Sequence, residues 1–245
     1  RADLNLTKWN GWRDATGYDR QSATVRWDRD LGSARMGTVA SWSRIDQVDP
    51  SPLSRSSFNA SPALNEFPIA TRAVEAFRLS SAVEKRFGNT SLALTPFVRA
   101  NELTILPSWM LTFDPVRYTT KHKSIGVIAR AHHEFDALHT RVVGGVAIDH
   151  SPGSRLERQI VLTREGPTFA AFRDSAVIYD YDVTFTGVSP YLQAELTPIE
   201  RLHLSAGLRY DVLGYEYENH LGSHTTGRWR RPASTNVSYR HLSPK

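Results

Sequence analysis

From Leu202 to Val212 the chain alternates without interruption. Leu202, Leu204, Ala206, Leu208, Tyr210 and Val212 fall on one face, and His203, Ser205, Gly207, Arg209 and Asp211 on the other. A period of two identifies a strand, whose successive side chains point to opposite faces. Strands usually end after about 5–6 residues; this one does not. The same rhythm recurs elsewhere. Ala23, Val25 and Trp27 oppose Thr24, Arg26 and Asp28, and Phe77, Leu79, Val83 and Phe87 oppose Arg78, Ser80, Glu84 and Arg86. Leu92, Leu94, Pro96 and Val98 share a face in the next segment, then Ile125, Val127, Ala129, Ala131 and Phe135. Val142, Gly144, Val146 and Ile148 follow, and then Val188, Leu192, Ala194 and Leu196. Residues Ala34 to Ile45 are a strand by position rather than by pattern, and the segments from Ala2 to Trp9 and from Asn236 to Lys245 alternate more weakly. The pattern predicts about ten strands and no long amphipathic helix.

The connections carry a second pattern. Turn-forming residues stand at Asp30-Leu31-Gly32, Gly88-Asn89, Asp136-Ala137-Leu138 and Pro198-Ile199-Glu200. Between them fall long links, from about Asp46 to Ala70, Met110 to Tyr118, His150 to Asp182 and Asn219 to Ser234. Short and long alternate strictly. A soluble sandwich has no reason to gather its long loops at one end. A transmembrane barrel has short turns on one side of the bilayer, long loops on the other, and strands of about 9–11 residues between. The expected fold is therefore all-β: an antiparallel transmembrane β-barrel with apolar faces to lipid and charged faces to a lumen. Closure would leave no open edge in hydrocarbon. A soluble β-sandwich or propeller would alternate too, but no propeller-length repeat is visible. Trp27, Trp42, Phe87, Trp109, Phe135, Tyr215 and Tyr217, near strand ends, suit the aromatic girdles that flank such a band.

Composition agrees and narrows the function. The chain has 245 residues, 40% hydrophobic and 22% charged, which excludes a disordered polypeptide. No run approaches the roughly 18 apolar residues of a membrane helix. A mean hydropathy of −0.40 does not exclude a barrel, whose apolar residues are diluted at every second position. Cysteine is absent, which removes disulfides, zinc–thiolate sites and cysteine nucleophiles. The net charge of +5 is spread out, and its densest cluster, Arg228-Trp229-Arg230-Arg231, has the character of a solvated loop rather than a nucleic-acid stripe. Arg1-Ala2-Asp3 lacks a signal-peptide pattern, as expected of a mature or excised chain.

No catalytic set, metal site or cofactor is expected. In His132-His133-Glu134-Phe135-Asp136 strand geometry sends His132, Glu134 and Asp136 to one face and His133 to the other, so the two histidines cannot share an ion locally. Asp149-His150-Ser151, with Ser154 nearby, invites a hydrolase reading, but no nucleophile elbow accompanies it and the segment falls at a loop base. Sequons at Asn5, Asn89 and Asn236 match chance occurrence. On the barrel geometry Arg26, Arg78, Arg86, Arg99, Arg141, Arg209 and Asp211 face the lumen, with Asp28, Glu84 and Glu195 as further candidate partners. They would form a structural charge ladder or recognise an anionic ligand. Arg173, Tyr179, Tyr181, Trp229 and Arg230, all in expected loops, are the candidates for first ligand contact, since aromatics and arginines dominate binding hot spots.

The segment LTPIERLHLSAGLRYD, from Leu196 to Asp211, resembles the strand–turn–strand of TonB-dependent outer-membrane receptors. SPYLQAEL before it and YRHLSPK after it are similar to that family's neighbouring strands. The resemblance is specific from about Gly187 to Lys245 and looser elsewhere. It implies residence in the bacterial outer membrane and energised uptake of a scarce, bulky ligand, foremost a ferric siderophore. It implies outer-membrane lipid, the TonB complex and a metal chelate or other small ligand as partners, and no nucleic acid. TonB would act through a plug domain, and neither a plug nor a TonB box is visible in this chain. The expectation is that residues 1–245 form part of a single receptor barrel domain, an incomplete segment of a barrel of about twenty-two strands, with the C-terminal strands elsewhere. A passive porin or an outer-membrane hydrolase are the alternatives.

Overall fold

A computed structural model describes residues 1–199 and 201–244, Leu138 by its backbone alone. Ten strands form one antiparallel sheet in which every strand pairs with its sequence neighbours. They are β1 (Ala2–Trp9), β2 (Tyr18–Leu31), β3 (Ala34–Val48), β4 (Thr71–Phe87), β5 (Thr90–Ile105), β6 (Val116–Phe135), β7 (Thr140–Glu165), β8 (Thr168–Ile199), β9 (Leu202–Asn219) and β10 (Thr235–Pro244). Among the described residues β1 and β10 do not pair, so the sheet is open at both edges. Tight turns follow β2, β4 and β6 as the chemistry predicts, with Gly88 in the left-handed region at φ +55°. The expected turn residue Glu200 lies outside the described residues, as does the last residue of the C-terminal segment, Lys245.

One long loop is corrected. The segment from His150 to Asp182 is not irregular: β7 and β8 run on for 26 and 32 residues and meet at Gly166, φ +57°. The apolar alternation does stop, but ladder hydrogen bonds are made by the backbone and continue without it. The other long links are real. One of them carries a single short helix, α1 (Arg55–Ala60), capped by the Ser54 hydroxyl, which accepts from Ser57 N–H.

Register joins the apolar positions into one surface. Residues directly opposite across a ladder share a face, and Val25, Ala40, Leu79, Val98 and Ile125 stand in line, as do Val127, Ile148, Val188 and Val212. Leu79, Leu94, Ile125, Leu192 and Leu204 on this face are exposed. On β4 the band runs from Phe77 to Phe87 and on β6 from Ile125 to Phe135, the reach of a membrane-spanning strand. Trp27, Trp42, Phe87 and Phe135 lie on it near its margins. Nitroxide labels at Leu204 and Ser205 in the folded protein are expected to report lipid-like and water-like accessibility respectively. The reverse order would overturn the assignment of faces.

The buried hydrophobics are not in the sheet's middle. Among the described residues they are Phe67, Ala70, Ile105, Leu106, Leu111, Val116, Ile160 and Ile178, all at the end where the long links cross. Phe67, Ala70, Leu106, Leu111 and Ile160 form one cluster, flanked by Ile69, Leu162, Phe169 and Phe172, and Phe67 stacks on Phe169 at 5.1 Å. Arg13 extends the network, donating to Leu64 O at 2.6 Å and Ser51 O at 2.8 Å. Arg228 adds the β9–β10 link, 3.2 Å from Asp114 Oδ2. The long links thus hold one another, and their core is separate from the band.

Candidate functional site

Above the apolar band the two faces exchange character. On the outward face the strands turn polar: Thr186, Thr184 and Asp182 follow Val188 on β8, and Glu216 and Glu218 follow Val212 on β9. On the opposite face they turn aromatic, without change of phase. Arg209 and Asp211 share that face with Tyr215 and Tyr217, which stand opposite Phe185 and Val183. Tyr181 and Tyr217 rings lie 5.2 Å apart and Phe185 and Tyr215 rings 5.1 Å apart. Tyr215 and Tyr217 are therefore not girdle residues; counting in twos from Asp211 places them on the face opposite the band. Trp109 is also no girdle residue, since it sits in a 3-10 turn, Ser108–Met110, of the β5–β6 link.

The next rungs outward extend this aromatic patch. Tyr118 on β6, Glu157 on β7 and Tyr179 on β8 stand side by side, with Arg155 opposite Tyr181 one step nearer the band. The Arg155 guanidinium lies 3.9 Å over the Tyr118 ring, and its Nε and Nη2 donate to Glu157 Oε2 at 2.9 and 2.5 Å. The Glu157 side chain is only 8% exposed while Arg155 keeps 29%. A buried carboxylate and an aromatic face thus hold one guanidinium in place and leave part of it accessible. Burial pushes the Tyr217 hydroxyl above its ordinary range. Arg231 Nη1 donates to Ile178 O at 3.0 Å and ties the β9–β10 link against β8.

Nearer the short turns the same face is a ladder of charge. Arg26 meets Asp28 at 2.7 Å. Arg209 meets Asp211 at 2.8 Å, and Ser189 donates to the same carboxylate at 2.5 Å. Arg99 pairs with Asp149 and stands directly opposite Arg78. Arg86 donates to Gly88 O at 3.1 Å and Arg141 to His132 Nε2 at 3.0 Å. Glu195 stands opposite Arg141 and Glu84 opposite Arg35, and neither makes an ion pair among the described residues. Two rings are laid flat on this wall because glycine lies beneath them. An added Cβ at Gly126 would meet Phe97 Cζ at 2.4 Å, and one at Gly145 would meet Tyr191 Cζ at 2.7 Å.

The sequence candidates divide. Tyr179 and Tyr181 stand in the aromatic patch with Arg155 and Glu157. Arg173 does not: it stands on the outer reach of β8, opposite Val161, in what the sequence marks as loop. Trp229 and Arg230 belong to the β9–β10 link, where Trp229 is half-buried with no partner for its indole N–H among the described residues. Tyr118, Arg155, Glu157 and Phe185 carry no sequence signal, because they lie where the apolar alternation has stopped. The supposed loop base at Asp149-His150-Ser151 is strand. Asp149 and Ser151 face inward, with Ser151 Oγ 2.5 Å from Asp149 Oδ1, while His150 pairs with Ile125 on the apolar face. The three residues cannot form a hydrolytic triad. His132 and Glu134 do share a face, 3.4 Å apart, and no group of metal-ligating side chains occurs among the described residues.

A family model, TonB dependent receptor-like, beta-barrel, matches residues 3–245. The chain belongs to this family. Its TonB-dependent receptor fold is shared at low identity with solved structures. The unliganded ferric citrate transporter FecA superposes with a TM-score of 0.77 at 12% identity, over 99% of this chain and 35% of that one. The ferric-catecholate import receptor Fiu of E. coli K12 gives 0.67 at 10% identity, over 99% and 43%. The ferripyoverdine receptor of the Pseudomonas aeruginosa outer membrane, bound to ferripyoverdine, gives 0.71 at 13% identity, over 99% and 35%. No curated protein matches by sequence. The chain spans well under half of these receptors. Their family is one of bacterial outer-membrane transporters and receptors, not of enzymes.

Proposed function

We propose that this chain forms part of the barrel of a TonB-dependent receptor that takes up a scarce, bulky ligand across the outer membrane, foremost a ferric siderophore. Residues 1–245 supply one stretch of a single barrel domain. The remaining strands, and the plug through which the TonB complex acts, lie outside this chain. The observation that carries the reading is the change of face above the band. A passive pore has no need of an aromatic wall with an arginine fixed by Glu157 and Tyr118, whereas capture of an anionic chelate does. The solved receptors that share the fold, named for ferric citrate, ferric catecholate and ferripyoverdine import, support the ligand class. In this reading the ladder from Arg26 to Asp211 lines the lumen, and Tyr179 and Tyr181 contact ligand. Arg173, Trp229 and Arg230 remain candidates for first capture at the rim.

The test is binding by the full-length receptor of ferric citrate, a ferric catecholate and a ferric hydroxamate. Arg155→Ala with Tyr181→Ala is expected to weaken the chelate that binds by about thirtyfold or more, the scale of a hot-spot loss, with heat-modifiable gel mobility unchanged. Unaltered affinity would remove these residues from the site. Steady conductance with no chelate bound would favour a porin, and a reading frame without a plug would say the same.

A further inference from the structure

The outward face carries a hollow that the uptake route does not use. Phe77, Val98, Ile125 and Pro152, with Lys123 and His150 at its margin, line a cavity of about 310 Å³ across β4 to β7. Lys123 and His150 are the first polar residues beyond Ile125 and Ile148 on the outward face, so they mark the upper edge of the band. The neighbouring cations on that face are already neutralised: Lys121 by Glu102 at 3.2 Å, and Arg44 by Asp46 at 2.8 Å. Lys123 is exposed and has no carboxylate within salt-bridge distance among the described residues; its partner across the β5–β6 ladder is Ala100. His150 Nδ1 lies 3.0 Å from Thr186 Oγ1. With that hydroxyl donating to Nδ1, the ring proton sits on Nε2 and is available to an acceptor.

We propose that this hollow binds an anionic lipid of the outer leaflet, its phosphate held by Lys123 and His150 Nε2–H and an acyl chain descending along Phe77, Val98 and Ile125. A cation left without a partner at the boundary of an apolar surface complements a phosphate headgroup, and its own methylene stem can lie along that surface. The apolar groove directly beneath selects a lipid over a free anion. The proposal rests on the apolar band meeting lipid. Were the labels at Leu204 and Ser205 to fail, both readings would fall; a missing lipid preference beside a lipid-like Leu204 overturns this one alone.

The experiment uses the full-length receptor, delipidated in dodecyl maltoside and titrated by native mass spectrometry with dioleoylphosphatidylglycerol or dioleoylphosphatidylcholine. The anionic lipid is expected to bind with about tenfold preference. Lys123→Ala with His150→Ala should erase that preference, and Lys123→Arg should keep it. Lys121→Ala should also keep it, since that charge is already engaged by Glu102. Equal binding of both lipids by the unaltered receptor would overturn the proposal, as would a preference that survives the double substitution. Displacement of the bound lipid by millimolar inorganic phosphate would show a bare anion site and also overturn it. Should the double variant lose its folded gel mobility, Lys123→Gln alone is read by the same criterion.

Discussion

Refolded alone in detergent micelles, residues 1–245 are expected to give large, polydisperse species and no heat-modifiable monomer. The sheet has two free edges, β1 and β10, whose outward backbone groups lack ladder partners. In hydrocarbon each unsatisfied group costs several kcal/mol, so even a few such groups exceed the usual 5–15 kcal/mol stability of a folded domain. The edges are also adhesive. Leu4 and Leu6 on β1 are 71% and 69% exposed, and Tyr239 and Leu242 on β10 are 57% and 52% exposed, which favours pairing between copies. Gel mobility with and without heating, together with light scattering, reads the outcome. A monodisperse, heat-modifiable monomer would mean that β1 and β10 can close on each other, and would overturn the partial-barrel reading.

The second large effect is expected in the long links. Ile160→Ala or Leu111→Ala in the full-length receptor should cost the outer module about 2–5 kcal/mol, as truncation of a fully buried aliphatic side chain does elsewhere. Ile160 and Leu111 are each 2% exposed, inside the cluster with Phe67 and Leu106. The band contributes none of these contacts, so heat-modifiable mobility should persist. Amide hydrogen exchange checks the separation: protection should fall across residues 49–70 and 106–115 and hold across β4 and β5 within the band. Protection unchanged at both places would show that the cluster does not stabilise the links. Collapse of the whole barrel would show that the two regions are one cooperative unit.

What the sequence determines by itself is the band. Where one face must meet an apolar medium, every second residue is constrained, and alternation over Leu92–Val98, Ile125–Phe135 and Leu202–Val212 states strand, face and register direction together. That Arg99, Arg141, Arg209 and Asp211 share the face opposite the band follows from the same count, because a strand cannot send neighbours to one side. The turn at Gly88 is equally legible, since few other residues accept its φ of +55°. Outside the band both strand faces meet water or other links, and the constraint lapses. Hence the continuation of β7 and β8 through His150–Asp182 left no periodic mark, although their backbones go on pairing there, with register shifts near Arg158 and Arg164 that the lower ladder lacks. Tertiary structure alone decided that Tyr118, Arg155, Glu157 and Tyr179, drawn from three strands, stand together on the face opposite the band with Tyr181 and Tyr217. It alone set His150 apart from Asp149 and Ser151, and it alone placed the buried core among the long links. Contacts between distant strands depend on register across several ladders, and no local pattern of side chains records that.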